Sequence, residues 1–146
     1  MNVWIDPRVA DRIRKHGEET YPFECCGFFF GKEGETRSVT QMWPVSNAKK
    51  GDQRKRFEID PADYQKAEKY ALKNNLDFLG VYHSHPDHPA VPSEHDRKVA
   101  MPFFSYIIVS VKDGSAVRLR SWRLNEQRQF DEEKVTEMDY TKQTPT

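Results

Sequence analysis

The chain has 146 residues, with 23 Lys plus Arg against 23 Asp plus Glu, so its formal net charge at pH 7 is zero. This length fits one domain over residues 1–146, and the balanced charge gives no general attraction to nucleic acid or to anionic membranes. We see no apolar run typical of a membrane span or a signal peptide, and we therefore expect a cytoplasmic protein.

Two helices are predicted by the same start signal, an aspartate followed by a proline. Asp6-Pro7 and Asp60-Pro61 each place an N-cap residue before a proline at the first helical position. Apolar residues then recur at helical spacing to about residue 19 in the first helix and to about residue 74 in the second. In the second helix these positions are Tyr64, Ala67, Ala71 and Leu72.

Six strands are predicted from apolar and β-branched runs, at about residues 26–30, 38–45, 56–59, 77–85, 106–111 and 117–124. Asp113-Gly114 predicts a hairpin between the last two. The 77–85 run is mostly apolar, which is typical of a strand covered on both faces. Residues 46–55 are predicted to form an exposed polar loop, and the tail from about residue 137 to be frayed. Together these elements predict an α/β (α+β) protein with a mixed sheet and helices.

The two cysteines, Cys25 and Cys26, are adjacent in the sequence and have no third partner. They cannot form the disulfide framework of a small secreted domain, so a reducing compartment suits them. Neighbouring residues of a strand face opposite sides and cannot readily bind one metal together. We interpret both thiols as buried packing residues.

Residues 83–96 contain a group of potential metal ligands. His83 and His85 lie two positions apart in a predicted strand, so both imidazoles can face one metal ion while Ser84 faces away. Asp96 can complete the set. Two imidazole nitrogens and one carboxylate oxygen leave the fourth tetrahedral position of zinc to water, as in catalytic rather than structural sites. We therefore predict one zinc ion per chain.

A wider pattern surrounds these ligands: H-S-H, seven residues, then S-x-x-D, with Glu24 upstream in the segment YPFECCGFFFG. The pattern resembles the JAMM metalloproteases of MPN+ domains, in their small prokaryotic form, over about residues 5–125. This resemblance implies a curved, mainly antiparallel sheet flanked by helices, related to the cytidine deaminase fold. It also implies that Glu24 acts as the general base and that Ser93 stabilises the oxyanion of the tetrahedral intermediate.

Other interpretations of the same residues stay open. Ser93 and Asp96 also fit a helix capping box, and we expect both roles to hold in part. The run from His83 to His88 matches the H-x-H-x-D-H signature of the metallo-β-lactamase superfamily, but that fold needs ligands further downstream and no histidine follows His95. We expect His88 and His95 to be exposed or to support the site. The P-C-x-x-C segment of base deaminases is absent from the sequence.

The resemblance also narrows the expected reaction. It implies hydrolysis of an amide bond after the C-terminal Gly-Gly of a ubiquitin-like protein, and for small bacterial members a ubiquitin-fold sulfur carrier. The tail of the carrier is expected to lie extended beside a sheet edge near the metal. The alternatives are a non-catalytic MPN scaffold and a JAMM-type peptidase acting on phage-tail or cell-wall peptides. Three interpretations of the basic cluster in residues 49–56 stay open. They are a solvated loop, which the balanced net charge favours, contact with an acidic partner surface, and binding of nucleic acid.

Overall fold

The computed structural model describes residues 1–138. The elements follow the chain in the order β1 (Asn2–Ile5), α1 (Pro7–Thr20), β2 (Cys26–Lys32), β3 (Thr36–Val45), α2 (Pro61–Lys73), β4 (Asp77–Pro86), α3 (Glu94–Val99), β5 (Ser105–Lys112), β6 (Ser115–Leu124) and β7 (Phe130–Thr136). None of the helices within these 138 residues combines the length and apolarity that a membrane crossing requires.

Both long helices begin at the predicted capping residues. The side chain of Asp6 accepts a hydrogen bond from the Arg8 amide at 2.9 Å, and that of Asp60 accepts one from the Ala62 amide at 2.9 Å. In α2 the buried face consists of Ala67 and Ala71, whereas Leu72 is 86% exposed. The prediction that Leu72 belongs to the apolar face is therefore wrong. Two small alanines give α2 a narrow contact stripe, and Leu72 lies outside it.

The strands close into a barrel in the order β1-β3-β2-β4-β5-β6-β7, because β1 pairs in parallel with both β3 and β7. β4 and β5 are also parallel, and the other four pairings are antiparallel. The predicted mixed, mainly antiparallel sheet with helices is confirmed. The closure itself depends on the two terminal strands, which the sequence did not reveal.

Of the two missed strands, β1 is only four residues long and alternates regularly, whereas β7 has an unusual burial pattern. The inward-facing residue of β7 is the charged Glu133, which is 2% exposed and accepts a hydrogen bond from the Ser121 hydroxyl at 2.9 Å. A second carboxylate contact joins Glu133 to Arg123 at 2.7 Å. Because a charged side chain occupies the buried position, β7 lacks the alternation of apolar and polar residues by which strands are recognised.

The predicted strand at residues 56–59 does not form. One main-chain hydrogen bond, from the Ala48 amide to the Glu58 carbonyl at 2.8 Å, connects this segment to the preceding loop. The Glu58 amide instead donates to the side chain of Asn47 at 3.1 Å. A side chain thus takes the place of a neighbouring strand, and residues 46–60 form an irregular connection, which we call the 46–60 loop.

The C-terminal half of β4 lies in the most buried part of the molecule. On one face of the sheet Tyr82 packs in a cluster with Ile13 of α1, and on the other Val81 packs in a cluster with Ala67 of α2. Every residue from Leu79 to Pro86 is buried. The predicted coverage of this strand on both faces is confirmed, and it holds the end of β4 in a fixed position.

Candidate metal centre and active site

Three side chains converge at the end of β4. The Nε2 atoms of His83 and His85 lie 3.2 Å apart, and the Oδ2 atom of Asp96 lies 3.3 Å from the first and 3.2 Å from the second. All three residues are buried. The two histidines come from one strand and the aspartate from the first turn of α3, as the spacing predicts.

The dimensions and charges of this group fit a metal ion. Ligands at 2.0–2.1 Å from a tetrahedral zinc lie about 3.3 Å from one another, which matches the three distances between the donor atoms. Burial lowers the pKa of His83, so its imidazole is neutral. Burial opposes the ionisation of Asp96, but the imidazoles and the Ser93 amide hold its pKa well below the usual range. Neutral imidazole and carboxylate are the forms that bind divalent metals.

The two imidazoles are oriented differently. The Nδ1 atom of His85 lies 2.8 Å from the Pro89 carbonyl, which only accepts hydrogen bonds, so Nδ1 carries a proton and Nε2 is the atom that faces the other two side chains. Burial lowers the pKa of His85, but the hydrogen bonds with Asp96 and Pro89 raise it overall, so a metal ion would displace the proton from Nε2. The ring of His83 stacks on Phe57, with centroids 4.5 Å apart and an angle of 28°. The Nδ1 atom of His83 is buried without a hydrogen-bond partner in the described part of the chain. No sequence pattern indicated this role of Phe57, because residues 56–59 were predicted to be a strand and have no regular structure that relates them to His83.

The proline-rich 86–92 loop beside the ligands is tied to the sheet. The hydroxyl of Ser110 donates to the His88 carbonyl at 2.6 Å, and the Trp122 indole donates to the Ala90 carbonyl at 3.0 Å. These bonds fix the loop that carries the Pro89 carbonyl. The side chain of His88 is exposed and lies outside the converging group, so the structure does not support the ligand set of a metallo-β-lactamase.

Ser93 and Asp96 form the predicted capping box. The Ser93 hydroxyl oxygen accepts a hydrogen bond from the Asp96 amide at 3.0 Å, while the Ser93 amide donates to Asp96 Oδ2 at 2.9 Å. The carboxylate oxygen that faces the histidines is therefore also held by the start of α3. A hydroxyl that accepts one hydrogen bond keeps its own hydrogen, so Ser93 can still donate to a molecule in the cleft.

Glu24 lies just before β2 and is 5% exposed. Its amide donates to the Gln53 carbonyl at 2.8 Å, and its carbonyl accepts from the Asn47 side chain at 3.3 Å. Burial raises the pKa of Glu24 to about 8, with a further contribution from the charge of Asp96. The 46–60 loop, of which residues 46–55 were predicted to be simply exposed, thus holds the main chain of the proposed base.

Glu24 borders two clefts. One, of about 820 Å³, is also lined by His85, Ser93 and Val91, and by Lys55 and Arg56 of the basic cluster. The other, of about 690 Å³, lies toward α1 and is lined by His16, Glu19 and Asn47. Two residues of the basic cluster therefore flank the cleft that His85 of the converging group lines. The other basic residues of 49–56 do not line this 820 Å³ cleft.

Cys25 and Cys26 are both buried. Burial raises the pKa of each thiol to about 12, so both are protonated and unreactive at neutral pH. Neither sulfur belongs to the converging group of possible ligands in residues 1–138. The structure agrees with the interpretation of both cysteines as packing residues.

A mixed α+β fold with a buried His-His-Asp group at the end of a central strand describes a protein with a candidate metal centre. Sequence similarity identifies its family. The family described as prokaryotic homologs of the JAB domain matches residues 6–125, and the chain belongs to it. The predicted relationship to small prokaryotic JAMM proteins is confirmed.

Three named relatives share about a third of the aligned residues with this chain. A desampylase of Haloferax volcanii is 34% identical over 70% of this chain and 76% of its own length. A probable TtuB-protein conjugate cleaving protease of Thermus thermophilus is 29% identical over 73% of this chain and 68% of its own. Tail tip assembly protein K of Escherichia phage N15 is 31% identical over 62% of this chain but only 33% of its own length.

Solved structures share the fold over nearly the whole chain. A protein of Desulfitobacterium hafniense superposes with a TM-score of 0.81 at 28% identity, covering 94% of this chain and 93% of its own. A protein of Salinibacter ruber gives 0.71 at 38% identity, covering 95% and 92%. A JAB1/MPN domain protein of Archaeoglobus fulgidus gives 0.55 at 17% identity, covering 94% and 100%, which bears on the fold alone.

Proposed function

We propose that this chain is a zinc-dependent isopeptidase that hydrolyses the amide bond after the C-terminal Gly-Gly of a ubiquitin-like protein, with a sulfur carrier as the expected substrate. The observation that carries this proposal is the convergence of His83, His85 and Asp96 at 3.2–3.3 Å, beside a cleft that both His85 and Glu24 line. The relatives that are named as a desampylase and as a conjugate-cleaving protease support it.

In this proposal His83, His85 and Asp96 hold the zinc ion. When bound, zinc acts as a Lewis acid that makes water more acidic and polarises a carbonyl group. The protein keeps the three donor atoms in place through the Pro89 carbonyl, the ring of Phe57 and the amide of Ser93. The ion therefore enters a group of ligands that is already arranged, and binding needs little rearrangement.

Glu24 is the proposed general base. A buried carboxyl group with a pKa near neutrality can take a proton from water and later give it to the leaving amine. A cation in the adjacent ligand group favours the ionised carboxylate that accepts the proton. The main chain of Glu24 is held on both sides, by the Gln53 carbonyl and by the Asn47 side chain.

Ser93 is the proposed donor to the oxyanion. Its oxygen is already used as an acceptor in the cap of α3, and this bond leaves the hydroxyl hydrogen to point into the cleft. One donor of this kind typically lowers the barrier by about 3 kcal/mol. The cap holds the hydroxyl oxygen in place before the substrate arrives.

The substrate tail would lie in the 820 Å³ cleft between the 46–60 loop and the 86–92 loop. Glycines at the scissile bond allow the backbone to approach Glu24 and Ser93 without a side chain. Because the sheet is closed, strand addition would need a strand that runs past its neighbour. β3 is such a strand, since its pairing with β1 ends at Val39 while it continues to Val45 beside Cys26. Two reduced, buried cysteines fit action in the cytoplasm.

The test is cleavage of a ubiquitin-fold sulfur carrier that is extended past its Gly-Gly by a short peptide. Mass spectrometry should show a cut directly after the second glycine by the zinc-loaded protein, and none after chelation. A carrier in which the last glycine is changed to Val is the matched control and should resist cleavage. Equal cleavage of unrelated unfolded peptides would contradict the carrier as substrate while leaving a general zinc peptidase.

A second candidate shares the chemistry and differs in substrate. Similarity to tail tip assembly protein K of phage N15 favours a peptidase that acts on phage-tail or cell-wall peptides. Cross-linking peptides of the cell wall belong in the same assay, and their preferential cleavage would favour this candidate. A non-catalytic scaffold predicts a folded protein that binds less than stoichiometric zinc and cleaves neither substrate.

A further inference from the structure

Ser84 lies between His83 and His85 in the sequence, but its side chain is on the opposite face of β4. It is fully buried, and its hydroxyl oxygen accepts a hydrogen bond from the Cys25 amide at 2.8 Å. The Ser84 amide in turn donates to the Cys25 carbonyl at 3.2 Å. One residue of β4 thus binds both main-chain polar groups of the residue that follows Glu24.

The geometry of this contact differs from a regular ladder. β2 and β4 are antiparallel, and their pairing begins with Cys26 opposite His83. The next pair in register is Cys25 with Ser84, and a hydrogen-bonded antiparallel pair exchanges two bonds between main-chain groups. Here the Cys25 amide donates to the hydroxyl of Ser84 in place of its carbonyl. The chain therefore leaves the ladder at Cys25, immediately before it reaches Glu24.

The surroundings leave little freedom for a different arrangement. Cys25 is 2% exposed, so water has little access to replace the hydroxyl as acceptor for its amide. Gly17 of α1 packs directly over Ser84, and a Cβ atom added at Gly17 would lie 3.4 Å from the Cβ atom of Ser84. The hydroxyl therefore has a fixed position, and through it so does the peptide group between Glu24 and Cys25.

We infer that Ser84 is a positioning residue for the proposed base. Its hydroxyl fixes the Cys25 amide, and this sets the position of the Glu24 carboxylate relative to His85 and Asp96. The inference rests on the proposed function of Glu24. Because the side chains of His83 and His85 point to the other face of β4, loss of the hydroxyl leaves the metal ligands in place.

The test is Ser84→Ala, measured alone and together with Glu24→Gln in the zinc-loaded protein with a cleavable Gly-Gly carrier. Ser84→Ala alone should keep zinc content and KM and lower kcat by about tenfold or more, since small displacements of a catalytic group are costly. In the Glu24→Gln protein the same change should lower kcat by less than about twofold, because residues that act through one another are not additive.

Two further variants separate positioning from stability. Ser121→Ala removes another fully buried hydroxyl, one that donates to Glu133 on the far strands, and should lower the melting temperature while kcat stays unchanged in both backgrounds. Ser84→Cys keeps a weak acceptor of similar size, so its kcat should lie between those of the native protein and Ser84→Ala. If Ser84→Ala does not fold, Ser84→Cys takes its place in the comparison of the two backgrounds.

An equal loss of kcat in the two backgrounds would overturn the inference, because Ser84 would then act only through general stability. Loss of zinc in Ser84→Ala would overturn it as well, since the residue would then support the ligands. If Glu24→Gln by itself leaves kcat unchanged, the proposed base is wrong. This result differs from an equal effect of Ser84→Ala in both backgrounds, because there Glu24→Gln does lower kcat.

Discussion

The proposed metal ligands and the proposed base are held in two different ways. His83 and His85 belong to a strand that is paired on both sides, with β2 and with β5. Glu24 precedes its strand, and its main chain is held by Gln53 and Asn47 of the 46–60 loop and, through Cys25, by Ser84. The ligands thus depend on regular structure, whereas the base depends on a few specific hydrogen bonds from distant parts of the chain.

This difference separates metal binding from catalysis in the structure. Loss of a ligand side chain should remove the ion, whereas changes that displace Glu24, Ser84→Ala among them, should lower turnover while the ion stays bound. The largest effect is expected where the two functions cannot be separated, at the ligands themselves.

Replacing any one ligand, as in His83→Ala, His85→Ala or Asp96→Ala, should abolish both zinc binding and turnover. Two protein ligands do not make a stable zinc site, because catalytic sites use three and leave the fourth position open. Elemental analysis of the purified variants measures the zinc, and His88→Ala is the control, since His88 is exposed near the same cleft. Full zinc content in all three ligand variants would refute the assignment.

Glu24→Gln should keep both the fold and the zinc but lower kcat by roughly 10² to 10⁴, the usual contribution of a positioned acid-base group. The amide has nearly the same shape as the carboxylate and cannot accept a proton. Steady-state kinetics on the Gly-Gly carrier, with zinc content measured on the same sample, decides the result. Near-normal turnover would place the base elsewhere in the cleft.

The proposed ligands could be predicted from local sequence patterns, but Glu24 could not. The pair His83 and His85 follows from the two-residue period of a strand, and the position of Asp96 follows from a local capping box. Glu24 could be assigned only by resemblance, because its position depends on contacts with residues 47, 53 and 84. Such contacts between distant segments leave no periodic pattern in the sequence.

The 46–60 loop and the terminal strands show the same limit. Phe57 stacks on His83 from a segment without regular structure, so no spacing rule connects the two. β7 was missed because its buried position is occupied by Glu133, whose charge is compensated by Arg123 of the neighbouring strand β6. Of the predicted frayed tail, Glu137 pairs with Arg14 and Met138 accepts a bond from Trp4, and residues 139–146 lie outside the described part.

Ser93→Ala should lower kcat by about 10², as expected for the loss of one oxyanion donor, and should also lower stability by about 1 kcal/mol through the loss of a cap. Asp6→Ala is the matched control, because it removes the cap of α1 and Asp6 does not line the cleft. It should reduce the melting temperature by a comparable amount without changing kcat. If both variants lower kcat equally, Ser93 acts only as a cap.

The smallest expected effect is on stability and concerns the metal-free protein. Burial raises the pKa of Glu24 to about 8, above the value of 4.5 that applies to an exposed glutamate in the unfolded chain. The folded state therefore holds this proton more tightly. The stability that the proton provides is fully present below pH 4.5 and is lost as the pH rises through 8.

Between pH 6 and pH 8 this loss amounts to about 2 kcal/mol for a group of this kind. Glu24→Gln carries no titrating proton, so the free energy of unfolding of the chelated variant should depend less on pH by that amount. Urea unfolding of both proteins at several pH values measures the difference, and because His85, Asp96 and Arg56 face Glu24 in both proteins, their own contributions largely cancel. Parallel pH profiles would mean that Glu24 is already ionised without the metal. Its carboxylate would then be solvated. The hydrogen bonds with Gln53, Asn47 and, through Cys25, with Ser84 would hold the main chain at Glu24 while its side chain remains free to move.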